Sequence, residues 1–469
     1  MALLGLDLGT STVKAGLLTD AGEWVIESVP VAGDLWAGEF DPRAWWTATV
    51  LALRHIAATH SLANVKAVAA IGNTPTLVLV DRHGQPVYPA LLWSDTRAVV
   101  EADALQQERS LEDWTRIYGG FIPISAAYAS AKLRWLARHH PTVVAQTAVI
   151  LQPKDYLNYR LTDQFAGDPW TSKGIVHLTR PGDASPLTAI GLSENAAPPC
   201  YDPIAVIGTV TDAAALSTGI PVGVPVMAGW SDTLGAVLSL GLGDCDGFIL
   251  SGTSESIGVM TQIQPPHSTQ VFVAPVWNSG YQIVYGPVSS GVSTVRWAES
   301  ILGISSSDKA DVDISQIDVF FVPYLSGQRS PLWHDTVRGA WIGLNDHVTR
   351  AHLIQAVWEG VVAAERDVLE AVTALTALSV KRLVVTGGGA HHPGLNFHRA
   401  ALLQTPLYRA LADPVWGAVL LAYWGSGGHF PQNPTKAQQW ERLPTASSHE
   451  HRYVGFQRAK MACLGLAQT

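Results

Sequence analysis

The chain has 469 residues, 47% of them hydrophobic and 15% charged, which supplies a large buried core and excludes long disorder. Asp and Glu outnumber Lys and Arg by 39 to 30, and the resulting charge of −9 gives no general attraction for nucleic acid or an anionic membrane. Cys200, Cys245 and Cys463 lie far apart with no metal-ligand spacing, the pattern of reduced thiols in a cytoplasmic protein.

Met1 to Leu8 carries Asp7 and has neither the basic region nor the cleavage site of a signal peptide, and no apolar run reaches membrane-spanning length. Instead, Leu3 to Leu18 predicts a strand, a tight Gly9-Thr10-Ser11 turn and a second strand. Glu23 to Val29 predicts a third, so the chain opens as an antiparallel meander. Trp45 to Ala58 has helical apolar spacing, and Val65 to Ile71 is a buried strand. Strands and helices then alternate, the signature of an α/β lobe. A strand over Val224–Ala228 turns through Gly229-Trp230-Ser231-Asp232 into an apolar helix.

The opening pattern returns at Gly247–Val259, again a strand, a Gly-Thr-Ser turn and a strand, which suggests two similarly folded lobes. The turn-rich Ile220–Pro225 predicts a boundary, giving lobes of 1–224 and 225–469, with a loop-like run Gly427–Pro434 and a peripheral tail after about 425. A third glycine signal is Arg382–Ala390, a strand running into Gly387-Gly388-Gly389, followed by a helix over Asn396–Gln404. His391, His392 and His398 nearby are read as loop histidines.

A Gly-Thr-Ser turn lets backbone approach a phosphate and donate hydrogen bonds to it. Asp7 leaves the first strand beside that cradle, where a carboxylate could hold Mg²⁺. The place equivalent to Asp7 in the second hairpin is read as Ser251, which would suit one metal-bearing lobe and one that only grips phosphate. Asp232 either caps the helix it opens or accepts a proton from an attacking hydroxyl.

The most specific pattern is Gly339-Ala-Trp-Ile-Gly343-Leu344, followed after seven residues by His352-Leu-Ile-Gln-Ala356-Val-Trp-Glu359. With Lys132–Leu136, Glu39–Trp46, Leu92–Arg97, Lys154–Leu157 and Val322–Gly327, it resembles the FGGY carbohydrate kinases, which include xylulokinases, glycerol kinases and gluconate kinases. The resemblance runs from about Leu3 to Ala422. It implies an α/β fold of two actin-like (ribonuclease H-like) lobes with an interlobe cleft for ATP and a sugar.

Carried over by position, it also implies roles for single residues. Asp232 is the catalytic base, and Asp7 serves Mg²⁺. Gly9, Thr10, Ser11, Gly252, Thr253, Gly388, Gly389 and Ala390 bind ATP. Asn73, Thr74, Trp93, Asp95, Arg97 and Trp230 border the sugar, while tryptophans such as Trp45, Trp46, Trp135 and Trp358 are read as packing. The implied reaction is ATP-dependent phosphorylation of a small open-chain sugar, D-xylulose or another ketopentose first. Another polyol, a sugar acid, or a non-catalytic nucleotide-dependent sugar sensor are the alternatives. The partner is a small sugar, with no nucleic acid or membrane, and a homodimer is left open. Two places depart from the family. Asn73-Thr74-Pro75 stands where similar xylulokinases have Gln-Met-His and glycerol kinases Gln-Arg-Glu, and Pro393 replaces an Asn of the adenosine loop.

Overall fold

The computed structural model describes residues 1–33, 39–180, 186–277, 279–304, 312, 317–411, 413–433 and 440–467. The chain divides into two compact units, the first Met1–Gly241 with Ala412–Ala437 and the second Leu242–Leu411 with Gln438–Thr469.

In the first unit β1 (Ala2–Leu8), β2 (Thr12–Leu18) and β3 (Trp24–Pro30) form the expected antiparallel meander. β4 (Val65–Gly72) joins β1 in parallel. β5 (Val206–Thr209) and β6 (Pro225–Met227) complete the main order β3-β2-β1-β4-β6-β5, and β7 (Trp230–Ser231) runs parallel to the end of β4. Helix α1 (Arg43–Thr59) buries Trp45, Ala48, Thr49, Ala52, Leu53 and Ile56, the three-and-four spacing of one helix face. Helices α2 (Pro153–Thr162) and α3 (Asp232–Ser239) also belong to this unit.

The second unit repeats the plan. β8 (Asp246–Ser251) and β9 (Glu255–Thr261) form the second hairpin, and β10 (Phe272–Pro275) and β11 (Gln282–Val288) extend it antiparallel. β12 (Arg382–Thr386) and β13 (Leu407–Ala410) then follow parallel to β8, with β14 (Trp440–Arg442) at the edge. Three antiparallel strands followed by two parallel ones, β11-β9-β8-β12-β13, match β3-β2-β1-β4-β6 of the first unit. Around this sheet lie α4 (Val292–Leu302), the long α5 (Arg350–Thr376) and α6 (Pro393–Leu403).

Four expectations change. The boundary falls after Gly241 rather than 224, because β6, β7 and α3 belong to the first sheet: Val226 pairs with Val68, and Trp230 with Ile71. The segment after about 425 is not peripheral. Helix α7 (Trp416–Gly425) packs in the first unit and the run after it stays there, Trp424 Nε1 donating to Gln432 O at 2.8 Å, while α8 (Glu450–Leu466) buries Arg452, Tyr453 and Phe456 in the second. Pro434, in the loop-like run, lies outside the described residues. Helix α6 starts at Pro393 rather than Asn396, since proline at the first helical position has no amide to leave unsatisfied. Counted back from the turn glycines, the counterpart of Asp7 is Leu250, and Ser251 stands in the place of Leu8. The asymmetry survives: the second hairpin has no carboxylate at that position.

Helix α7 approaches α3 through two glycines. A Cβ on Gly417 would lie 1.9 Å from the Gly235 carbonyl oxygen, and one on Gly235 would lie 2.6 Å from Ile71 Cγ2. Gly417→Ala should therefore destabilise the protein by about 1–3 kcal/mol. Gly465→Ala, in α8 with open space around it, should be neutral or stabilising by up to about 1 kcal/mol. Urea unfolding midpoints of the two variants check the contrast.

Candidate active site

In the first unit three parallel strands end together. Asp7 is registered with Ile71, and Ile71 with Trp230; Leu8 is registered with Gly72, and Gly72 with Ser231. The residues that follow these strand ends are Gly9-Thr10-Ser11, Asn73-Thr74-Pro75 and Asp232. In open α/β sheets the carboxyl ends of parallel strands are where ligands bind.

The turns are tied down by side chains. Gly9 N donates to Thr12 O at 3.0 Å, and Trp45 Nε1 donates to Gly9 O at 3.0 Å. Trp45 thus packs, as expected, and also anchors the glycine turn. Asn73 Nδ2 donates to Leu8 O at 2.9 Å, and Asn73 Oδ1 accepts from Thr76 Oγ1 at 2.6 Å. Thr74 Oγ1 donates to Thr171 O at 3.2 Å. Trp93 Nε1 donates to Thr10 Oγ1 at 2.9 Å, which joins a residue expected at the sugar to one expected at phosphate. Arg97 Nε pairs with Asp95 at 3.0 Å, and its guanidinium lies 4.9 Å from the Trp135 ring centre. Of the two tryptophans assigned to the sugar, Trp93 is 39% exposed, whereas Trp230 is 1% exposed. Only Trp93 presents a broad open face.

Asp232 does not cap its helix. Ser231 is the cap, its Oγ accepting from Leu234 N at 3.3 Å, while Asp232 Oδ1 accepts from Thr233 N at 2.6 Å. Burial pushes the Asp232 carboxyl up to about 6, against hydrogen bonds from Thr233 and the charge of Lys173. Asp7 is pushed up to about 7 by burial and the Asp232 charge, with Lys14 opposing. Lys14 is registered across β1 and β2 with Asp7, and its Nζ binds Asp413 Oδ2 at 2.7 Å, in the returning segment. Neither Lys14 nor Asp413 was singled out by the sequence, although Lys14 follows directly from pairing the first hairpin. Two neighbouring carboxylates, both held above their ordinary range, are a hard-oxygen donor set that fits a divalent cation such as Mg²⁺.

In the second unit Gly252 O accepts from Val292 N at 2.9 Å, and Thr253 O from Ser293 N at 3.3 Å, so the start of α4 holds the hairpin turn. The glycine loop after β12 is fitted to that hairpin. Gly387 has φ +87°, and a Cβ there would meet Ser251 O at 2.4 Å; one on Gly389 would meet Ser251 Oγ at 1.9 Å. Gly388 alone of the three has open space beside it. Gly389 and Ala390 are buried, so their smallness serves packing first. Arg399 fastens both pieces. Its guanidinium reaches Glu365 at 2.7 Å, Glu255 at 2.9 Å, Ser251 Oγ at 2.7 Å and Gly389 O at 3.2 Å.

The histidines have separate duties. His392 Nδ1 caps α6 by accepting from Leu395 N, and His391 meets Arg409. His398 is not a loop residue; it is buried inside α6, bonded to Gln355, and pushed down to about 3 by desolvation. It lies near His449 and Glu359 in an arrangement of possible metal ligands. Both Glu359 oxygens, however, accept from Arg452 at 3.0 Å, so this carboxylate serves an ion pair that docks α8 on α5.

Two family profiles match. The N-terminal domain of the FGGY family of carbohydrate kinases matches residues 2–239, and the C-terminal domain residues 247–426. The chain belongs to this family, and it is a phosphotransferase acting on a carbohydrate. Xylulose kinase of Escherichia coli (strain K12) is 30% identical, over 97% of this chain and 96% of its own. Xylulose kinase of Rhodospirillum rubrum superposes with a TM-score of 0.86 at 23% identity, covering 100% of both chains. Plasmodium falciparum glycerol kinase with ADP gives 0.85 at 17% identity, covering 99% of this chain and 98% of that one. These two show the actin-like fold. Among the described residues no helix is long and apolar enough to cross a membrane.

Two outcomes follow from the charges. Arg399→Met should cost about 3–5 kcal/mol of stability, because it leaves Glu255 and Glu365 buried without their cation; denaturant melts at constant pH measure it. Asp7 binds a proton in the native state that the unfolded chain releases near its ordinary value of 3.8. Stability is therefore lost as pH rises from there towards 7. Without divalent cations, Asp7→Asn should melt above the native protein, by more at pH 8 than at pH 5, as calorimetry at the two pH values would show.

Proposed function

We propose that the chain transfers the γ-phosphoryl group of ATP to a hydroxyl of an open-chain ketose or polyol, with xylulose or another ketopentose as the first candidate. The observation that carries this is Asp232, placed at a parallel strand end beside Asp7 and relieved of capping by Ser231. A carboxylate whose acidity sits near 6 is ionised at neutral pH and can accept the proton of the attacking hydroxyl. Asp7 would hold Mg²⁺, directly or through water, and the ion when bound offsets phosphate charge. The Gly9-Thr10-Ser11 and Gly252-Thr253 turns would donate to phosphate oxygens, and Gly388 would lie against the adenosine.

The ketopentose reading draws on relatives named xylulose kinase, among them that of Klebsiella pneumoniae, 31% identical over 82% of each chain. Asn73-Thr74-Pro75 tempers it, since Thr74 and Pro75 reproduce neither an imidazole nor a charged contact. The Trp93 face and the Asp95–Arg97 pair remain for the sugar. Such a kinase works in the cytoplasm, in keeping with the unpaired cysteines.

The test couples ADP release to a panel of ketopentoses, pentitols, glycerol and aldonates. Asp232→Asn should fold and melt as the native protein does, because an asparagine oxygen can still accept from Thr233, and it should keep ATP binding. Its kcat should drop roughly 10²–10⁴-fold. Native kcat/KM should fall as pH drops below about 6. Turnover near the native value with chemistry rate-limiting would remove Asp232 as the base.

A further inference from the structure

Lys173 lies within a buried run of the first unit and is only 4% exposed. Asp168 and the Thr171 backbone tie that run to the rest of the unit. Asp168 lies 2.9 Å from Lys154 Nζ and accepts from the backbone amides of Trp170 and Thr171. The Thr171 carbonyl accepts from Thr74 of the Asn73–Pro75 loop. The Lys173 ammonium, by contrast, makes no hydrogen bond or ion pair within 4 Å among the described residues. It lies 5.6 Å from the Trp170 ring centre and within electrostatic reach of Asp232 and Asp168. An ammonium carries three donors, and one that no protein acceptor engages beside a carboxylate is available to the acceptors of a ligand. Lys173 thus stands two residues from the segment bonded to Thr74 and within electrostatic reach of Asp232, the two sides on which the acceptor reading places the sugar.

We propose that Lys173 is an acceptor-binding residue whose ammonium donates to a carbonyl or hydroxyl oxygen of an uncharged open-chain sugar, holding its reactive hydroxyl against Asp232. This rests on the reading of the chain as a sugar kinase and names a contact that reading did not contain. The uncharged class follows from the local charges. Asp7, Asp155, Asp168, Asp232 and Asp413 stand against Lys14, Lys154 and Lys173, so the surroundings already carry surplus negative charge. A sugar acid would add another carboxylate to it. Burial lowers the Lys173 amine to about 8, which leaves it protonated at neutral pH.

The full chain, Lys173→Met, Lys173→Arg and the exposed-site control Lys66→Met are compared on the sugar panel. Lys173→Met should raise acceptor KM about 10–100-fold, as loss of a charge-assisted hydrogen bond implies. The KM for ATP at saturating acceptor should move less than about threefold by the same reasoning. Lys173→Arg should recover part of the loss, and Lys66→Met should resemble the native protein. If Lys173→Met fails to fold, acetylation of Lys173 in the native protein, followed by mass spectrometry, gives an independent readout. The acceptor should slow it, and ATP alone should not. An acceptor KM within about twofold of native in Lys173→Met, acetylation indifferent to the acceptor, or a native preference for aldonates over neutral sugars overturns the proposal alone. A native protein that phosphorylates no sugar overturns it together with the reading on which it rests.

Discussion

The register of Ile71 and Gly72 with strands on both sides is the constraint on which the first unit's site depends. These two residues pair in parallel with Asp7-Leu8 on one flank and Trp230-Ser231 on the other. A slip of one residue would turn side chains to the opposite face of the sheet. It would separate the acid on β1 from the acid after β7, and it would detach Asn73 from Leu8 O. Close packing secures the register from the side, since Gly235 lies against Ile71 and Gly417 against Gly235, leaving no space for α3 to slide. A chemical arrangement of a few residues is thus set by backbone pairing far more than by the chemical groups themselves.

The two units place charge differently. In the first, carboxylates at the strand ends are incompletely compensated, and burial leaves both Asp7 and Asp232 weaker acids than usual. In the second, Arg399 grips Glu255 and Glu365 together, one cation for two acids, so burial and the Glu365 charge still hold Glu255 well above its ordinary value, and Arg452 pairs with Glu359. An acid left without a cation at a strand end is a cost to folding that function can exploit, whereas acids gathered on one buried guanidinium fix geometry. The same topology therefore carries a reactive end in one unit and a braced glycine loop in the other.

Much of this was legible in the sequence. Both Gly-Thr-Ser hairpins declare themselves through local turn chemistry, and α1 through its apolar spacing. Asp232 was legible as a residue after a strand, though its freedom from capping depends on the fold giving that work to Ser231. What escaped were relations between distant parts of the chain. Arg399 meets Glu255 from 144 positions away, and nothing near either residue signals the other. Lys173 sits in a run, Trp-Thr-Ser-Lys-Gly, that has no repeating pattern, and its burial beside Asp232 is a tertiary fact. The misplaced boundary has the same origin, for Ile220–Pro225 has the composition of a linker yet feeds a strand into the first sheet.

The order in which the ribosome delivers the chain gives the returning segment a further meaning. Helix α7 completes the first unit only after the whole Leu242–Leu411 stretch has been made, about 10–30 s of synthesis at usual rates. During that interval β1 and β4 lack the helix that packs Val419 against Gly5, and α3 lacks the partner that closes over Gly235. The second unit in turn waits for α8 to bring Arg452 to Glu359. Neither half is a module that could be cut out at a single junction and expressed alone. The nascent first sheet exposes apolar surface until α7 has emerged, which makes it a natural client for chaperones that shield unfinished chains.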